Sequence, residues 1–440
     1  MRVVMVAVGS RGDVQPYVAL AQGLQAAGHR VRLATHAVFE DLVHERDLDF
    51  AALTLDPRAF LRTLAQQAGL ETAGSPTRFV PFFRACVRLY GSRVLEALDE
   101  CWKATQDAEA IVFSPLALGA LDIAEKLGVA AYVGAVWPLW RHRPALLFPQ
   151  PALGPLLTPV YNRLTYVLGQ VAQGMTRALA QGIASPLQAM VNRWRVDALG
   201  LPPRSTAEFL RARDRIPTLY GMSPTVFPPP PDWPSFVHVT GYWFLESTVS
   251  EQPPPPELLA FLAAGPAPVY VGFGSMMGRD PIATSGIVVE ALARSRQRGV
   301  LLTGWGGLDR TAIMSAARAR GVEVVTVDSI SHDWLFPRMA AVFHHAGAGT
   351  AAASLRAGVP SGAVPFFGDQ LYWGAALSRL GAGPPPVSQR RLTAARLAEA
   401  ITRAVTDPSI RARAAVVGAR IRAEDGVKTA VAMFHRHLAA

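Results

Sequence analysis

The sequence predicts an α/β protein of two doubly wound, Rossmann-like domains facing each other across a cleft. Three observations predict it. Short β-branched runs alternate with helical text along both halves of the 440-residue chain, the pattern of parallel strands joined by crossover helices. The length exceeds what one hydrophobic core serves and suits two domains of about 200 residues each. Two proline tetrads, Pro228–Pro231 and Pro253–Pro256, mark a stiff connector between the halves. With 50% of residues hydrophobic and 17% charged, the chain can bury cores of that size, which sets disorder aside.

The first βα unit is the clearest. Residues 2–8 read as a buried strand, since a signal peptide needs a longer apolar stretch and a cleavage site. The loop Gly9-Ser10-Arg11-Gly12-Asp13 follows. A helix then has Pro16 near its start, Tyr17, Leu20, Ala21 and Leu24 at helical spacing, and Gly28 as its stop. Residues 31–35 are the second strand, and 111–113 and 129–133 are later strands of the same sheet. From 137 to about 201 the text is helical and rich in proline, tryptophan and arginine. Leu164, Val167, Leu168, Val171, Met175 and Leu179 recur there at helical spacing, which fits a helix seated on its own domain or one lying on a membrane. The uncharged stretch between Arg143 and Arg163 holds too many prolines for a membrane span. Beyond the connector, 269–273, 300–303, 322–327, 341–344 and 362–365 read as strands. The expected limits are a first domain over 1–227, a linker over 228–256, a second domain over 257–420, and a C-terminal helix over 421–440 that packs back on the first domain.

Lysine and arginine number 43 against 33 acidic residues, a net charge of +10. No basic run with interleaved aromatics occurs, so nucleic acid is not an expected partner. An anionic small molecule or an anionic membrane surface remains. Cys86 and Cys101 supply neither a disulfide framework nor a zinc site. They point to a reducing compartment, so a cytoplasmic protein is expected, and the +10 charge suggests peripheral contact at the inner face of the membrane. The string Asp47-Leu48-Asp49 has the form of a metal motif but sits in charged text before Phe50 and is read as a solvated loop. No metal and no cofactor is expected.

Three glycine-containing loops each follow an expected strand: Gly9 to Asp13, Gly272-Phe273-Gly274-Ser275, and His344-His345-Ala346-Gly347-Ala348-Gly349-Thr350. Such a loop opening a helix offers free N–H groups and the positive end of the helix dipole, a site for phosphate; each is equally a tight strand-to-helix turn. His345, at the mouth of the third loop, is placed to donate to a diphosphate. Asp369 and Gln370, after Pro365-Phe366-Phe367-Gly368, either cap a helix or grip sugar hydroxyls. Asp13 likewise has two readings, a helix cap and a general base facing the cleft.

The string from His344 to Gln370, HHAGAGTAAASLRAGVPSGAVPFFGDQ, resembles the donor-binding signature of family 1 glycosyltransferases, and within that family the sterol 3-β-glucosyltransferase branch. GSRGDVQPYVAL from Gly9, GYWF from Gly241, FGSM from Phe273 and SHDWLF from Ser331 extend the resemblance over both halves. A looser likeness exists to transferases that glycosylate antibiotic aglycones. The resemblance implies the GT-B fold and an inverting, metal-independent enzyme that moves a sugar, expected to be glucose from UDP-glucose, to the hydroxyl of a lipophilic acceptor. It implies Asp13 as base. Ser10, Gly12, Ser275, His345, Gly347, Gly349 and Thr350 would serve the donor's phosphates, Asp369 and Gln370 its sugar, and the loop from Val327 to Ile330 its base. Plant members place a histidine where this chain has Asp13, its orienting aspartate at Ser114, a ribose-gripping glutamate at Ala353 and a base-stacking tryptophan at Val327, so UDP and dTDP both stay open. An apolar acceptor pocket is expected from Phe79, Phe83, Trp137 and Trp140, with Arg141, Arg143, Arg163 and Arg177 nearby to favour an anionic bilayer. The alternative is a natural-product glycosyltransferase acting on a polyketide-type aglycone with a UDP- or dTDP-sugar. A non-catalytic nucleotide-sugar or lipid-binding protein is the third reading, which the joint presence of Asp13, His345, Asp369 and Gln370 argues against.

Overall fold

The computed structural model describes residues 1–57, 59, 63, 93–138, 188–229, 233–246, 253–274, 276, 280–304, 307–366 and 368–439. Phe79, Phe83, Cys86, Trp140, Ser275, the four arginines 141, 143, 163 and 177, and the helix expected over 164–179 lie outside them. The chain divides into two compact units. The first holds Met1–Pro57, the described residues from 93 to 244, and the chain from Asp425 onward; the second holds the described residues from Leu245 to Glu424.

In the first unit, β1 (Arg2–Val6), β2 (Arg30–His36), β3 (Asp49–Leu53), β4 (Ala110–Phe113), β5 (Ala130–Ala135), β6 (Thr218–Tyr220) and β7 (Val237–Val239) form a sheet in the order β3-β2-β1-β4-β5-β6-β7. Every pairing is parallel. Val3, Val4, Met5 and Val6 of β1 are wholly buried, as a central parallel strand covered on both faces requires. The helix Arg11–Ala26 begins five residues before Pro16. Pro16 thus stands inside the helix, one turn from its start, where it removes the ladder bond to Gly12. Three strands have no clear sequence signal. β6 and β7 are three residues each, and β3 opens on Asp49, whose carboxylate pairs with Arg32 at 2.7 Å. Asp49 is thus a strand residue and Asp47 a left-handed turn residue, φ 53°. β7 also lies within the segment expected as linker, and the chain changes unit only at Phe244.

In the second unit, β8 (Val269–Gly272), β9 (Gly299–Leu302), β10 (Val324–Val327), β11 (Ala341–His344) and β12 (Ser361–Ala363) run parallel in the order β10-β9-β8-β11-β12. The second proline tetrad is a helix start. Pro255 is the N-cap and Pro256 the first residue of the helix Pro256–Ala263, where proline's fixed φ and missing N–H cost nothing.

The last helix, Gly426–Leu438, belongs to the first unit. It packs on Arg11–Ala26 at Gly23, where a Cβ would stand 2.3 Å from Val427 Cγ1. Phe434 is fully buried with its ring 4.6 Å from that of Tyr132, whose hydroxyl donates to the Phe434 carbonyl. The GYWF string finds its physical role here. Trp243 seats against Gly221 and meets Tyr17 edge-on, and Gly426 touches the backbone of Gly241 and Tyr242 too closely for any side chain.

Candidate active site

Both sheets reverse strand order once, and ligands in such folds bind outside the carboxyl ends of the strands at that reversal. In the first unit the reversal falls between β1 and β4; in the second, between β8 and β11. Most of the residues singled out in the sequence stand at these two places.

At the first, the chain leaves β1 and turns at Gly9, whose φ of +139° is disfavoured for a side-chain-bearing residue. A Cβ on Gly9 would stand 2.5 Å from Asp13 Oδ2, so the carboxyl fills the space the glycine vacates. Ser10 is the N-cap of Arg11–Ala26, and its N–H and Oγ–H both donate to Asp13 Oδ2, at 2.8 and 2.9 Å. Asp13 is therefore not the N-cap but the third residue of the helix, and it closes a capping box with Ser10 through one oxygen. Among the described residues no hydrogen bond falls on Oδ1. Burial pushes the Asp13 pKa up from the ordinary carboxylate value, and the Ser10 bonds only partly offset it. A raised carboxyl pKa with one uncommitted oxygen suits a general base. The expected phosphate role of Ser10 is corrected by the same geometry, since both its donors already point at Asp13. Gly12 keeps a first-turn N–H outside the helix ladder.

Two buried side chains that the sequence reading did not value for this purpose hold the loop from below. Ser114, just after β4, accepts from Val8 N–H at 3.1 Å, and His36, the last residue of β2, accepts from Gly9 N–H through Nε2 at 3.0 Å. Trp137 follows β5 and is partly buried.

At the second reversal, His345 follows β11 and is 7% exposed. Two glycines make room for its ring. A Cβ on Gly274 (φ +59°) would lie 2.7 Å from His345 Cε1, and one on Gly347 would lie 2.4 Å from Nε2. Nδ1 is buried with no hydrogen-bond partner among the described residues, and burial pulls the pKa down to about 4. The ring is neutral at neutral pH and has an uncommitted nitrogen. Its neighbour His344 is structural. Ala346 N–H donates to His344 Nδ1 (3.0 Å), which places the ring hydrogen on Nε2 towards Ser354 Oγ (3.2 Å), and this supports Ala346 in a left-handed conformation, φ 65°.

Gly347 caps the helix Ala348–Ala357 with no side chain of its own. The ladder begins at Ala351 N–H, which donates to Gly347 O. The N–H groups of Ala348, Gly349 and Thr350 are thus left for an anion, reinforced by the helix dipole.

Asp369 precedes the helix Gln370–Arg379 without capping it through its side chain; Trp373 Nε1 donates to its Oδ2 at 3.0 Å. Gln370 is buried, and its Oε1 accepts from Phe366 N–H at 2.9 Å, so that end of the amide supports the loop. Val327 is corrected. Its side chain lies in a core cluster with Tyr270, Ile330 and Phe336, and its carbonyl accepts from Thr303 N–H, so neither faces a nucleobase. Among the described residues no group of three or more His, Cys, Asp or Glu is placed to hold a metal ion.

Residues 3–143 match the glycosyltransferase family 28 N-terminal domain, and residues 313–432 the erythromycin biosynthesis protein CIII-like C-terminal domain. Sterol 3-beta-glucosyltransferases of Emericella nidulans and Pichia angusta are each 36% identical, over 100% and 99% of this chain and 30% and 33% of their own lengths. The chain thus spans about a third of the curated relatives it matches. Among solved structures, the glycotransferase of kitacinnamycin is similar with a TM-score of 0.66 at 18% identity, covering 99% of this chain and 98% of that one. Glycosyltransferase VinC in complex with dTDP has a TM-score of 0.65 at 18% identity, covering 100% of both. The two parallel-sheet units and these likenesses define a GT-B glycosyltransferase fold. Within that class, the chain carries a glycosyltransferase family 28 N-terminal domain and an erythromycin biosynthesis protein CIII-like C-terminal domain, and along its whole length it is similar to sterol 3-beta-glucosyltransferases.

Proposed function

We propose that the protein is an inverting glycosyltransferase that moves glucose from UDP-glucose to the hydroxyl of a sterol-like acceptor. One observation carries the reading. A base-competent carboxyl stands at the switch point of one sheet, and at that of the other stands a neutral imidazole beside an open helix N-terminus, its Nδ1 without a partner among the described residues. Asp13 would take the acceptor's hydroxyl proton as that oxygen bonds to the anomeric carbon. The bond from that carbon to the diphosphate oxygen breaks, and displacement from the opposite face inverts the centre. The leaving diphosphate would be held by His345 and the N–H groups of Ala348, Gly349 and Thr350, without a metal. Asp369 and Gln370 would take the sugar hydroxyls. The sterol class rests on the 36% identity to the relatives named above.

The erythromycin-type C-terminal match favours a second reading, transfer to a natural-product aglycone from a UDP- or dTDP-sugar. Purified protein offered UDP-glucose or dTDP-glucose, with a sterol or a polyphenol, separates them. Sterol glucoside with UDP release is expected. Transfer to the polyphenol alone selects the second reading, and no transfer from either donor overturns both. Among the described residues no helix is long and apolar enough to cross a membrane. Peripheral binding driven by the +10 charge is proposed, tested by flotation with anionic vesicles at low and high salt. Absence of binding at low salt refutes it.

A further inference from the structure

We propose that His36 is a positioning residue for the Asp13 base, acting through Gly9 and only while its imidazole is neutral. The inference rests on the reading of Asp13 as base. His36 closes β2 with 1% exposure, and its Nε2 accepts the Gly9 N–H. A backbone N–H can only donate, so Nε2 is bare and the ring hydrogen sits on Nδ1. Nδ1 is buried on the side of the Leu55 backbone and makes no hydrogen bond of good geometry there.

The bond fixes the one residue whose conformation decides where Asp13 goes. Gly9 holds φ +139°, and the Asp13 carboxyl occupies the place of its missing Cβ. With Ser114 on the preceding N–H, two buried acceptors from β2 and β4 pin consecutive amides of the turn. A proton on His36 Nε2 turns that acceptor into a donor facing another donor. The turn then loses its anchor and the carboxyl its seat.

The charged groups facing the ring are Asp56, after β3, and Glu100, from the helix over 93–105; both favour its protonation. Asp13 lies beyond Gly9 on the remaining side. Burial outweighs Asp56 and Glu100 and pulls the His36 pKa down, while burial pushes that of Asp13 up. The two shifts run in opposite directions, and both groups must be deprotonated for turnover.

The test compares His36→Gln, whose Oε1 accepts a hydrogen bond but does not titrate, with His36→Leu, which cannot accept. Turnover, donor KM and the pH profile of kcat are measured on each, with a melting curve. Wild type is expected to lose turnover in acid with a limiting slope of about two protons, and His36→Gln with about one, at near-wild-type kcat. His36→Leu is expected to lose roughly tenfold or more in kcat, with the UDP-glucose KM within about twofold. Equal impairment of both variants, full kcat in His36→Leu, or a wild-type slope of one overturns the proposal. If His36→Leu does not fold, the profile of His36→Gln decides alone. Full turnover in Asp13→Asn marks a separate failure, that of the base itself.

Discussion

Replacing His345 with glutamine should make the protein more resistant to acid than wild type. The His345 ring is buried, its Nδ1 has no partner among the described residues, and burial holds its pKa at about 4, against 6.5 for an unfolded histidine. The unfolded chain therefore binds a proton at this position that the folded chain refuses. Stability tied to the neutral ring is fully present above pH 6.5 and is lost as pH falls from there through 4. Each unit of depression is worth about 1.4 kcal/mol, so the penalty approaches roughly 3 kcal/mol below pH 4 and is on the order of 2 kcal/mol at pH 5. Glutamine is uncharged at every pH and carries no such penalty. The assay is chemical denaturation of both proteins at pH 7, 6 and 5, followed by circular dichroism. The variant's stability relative to wild type should rise by on the order of 2 kcal/mol between pH 7 and 5. A difference independent of pH refutes the buried, neutral imidazole and with it the basis for its role at a diphosphate.

Asp13→Asn should keep the melting temperature within a few degrees and lose roughly two to four orders of magnitude in turnover; near-wild-type turnover sinks the base. Gly347→Ala puts a Cβ 2.4 Å from His345 Nε2 at a backbone φ that alanine tolerates, so the ring must turn while the fold survives. UDP affinity should fall by about 1.5 kcal/mol or more by calorimetry, and unchanged affinity contradicts the proposed diphosphate seat. Asp369→Ala should leave UDP binding nearly intact and damage turnover with intact UDP-glucose, whereas a large loss of UDP affinity would remove Asp369 from the sugar. Excess chelator should leave turnover unchanged; abolition by EDTA and rescue by magnesium or manganese would refute phosphate stabilisation by helix termini.

The core of both sheets was legible because central parallel strands are continuous β-branched runs, such as Val3 to Val6 and Val269 to Val271. β3, β6 and β7 of the first sheet were not. β3 opens on an aspartate that serves an ion pair, and β6 and β7 are too short to show a period. Of the site, Asp13 and His345 were readable because glycines surround them in sequence. Val327 was misread for the converse reason, since a loop residue by motif is a core residue by packing. His36 escaped, and Ser114 was named only as the counterpart of an orienting aspartate, because a buried acceptor at a strand end looks like any polar residue next to a loop. Their value lies in amides brought close by the sheet, 27 and 106 residues away in sequence. A histidine or serine at the carboxyl end of a strand that neighbours the first glycine loop is the signal that would have found them.

The two units solve one problem in the same way. A reactive side chain near a backbone turn needs to be buried enough to have a shifted pKa and fixed enough to act without searching rotamers. Gly9 and Gly274 both leave their strands in left-handed conformations, and in each case the space of the missing Cβ is filled by the polar group of another residue, Asp13 Oδ2 or the His345 ring. The glycines serve a steric need before they serve any phosphate. Burial then moves both groups toward their neutral forms, the carboxyl upward and the imidazole downward. An imidazole kept neutral can donate one hydrogen bond to a diphosphate without adding a fixed positive charge. A carboxyl with a raised pKa binds a proton more readily than an ordinary surface aspartate, which favours its taking one from an alcohol. The glycine loops that look like phosphate cradles in the sequence are thus, first, the seats that set the chemistry of the groups beside them.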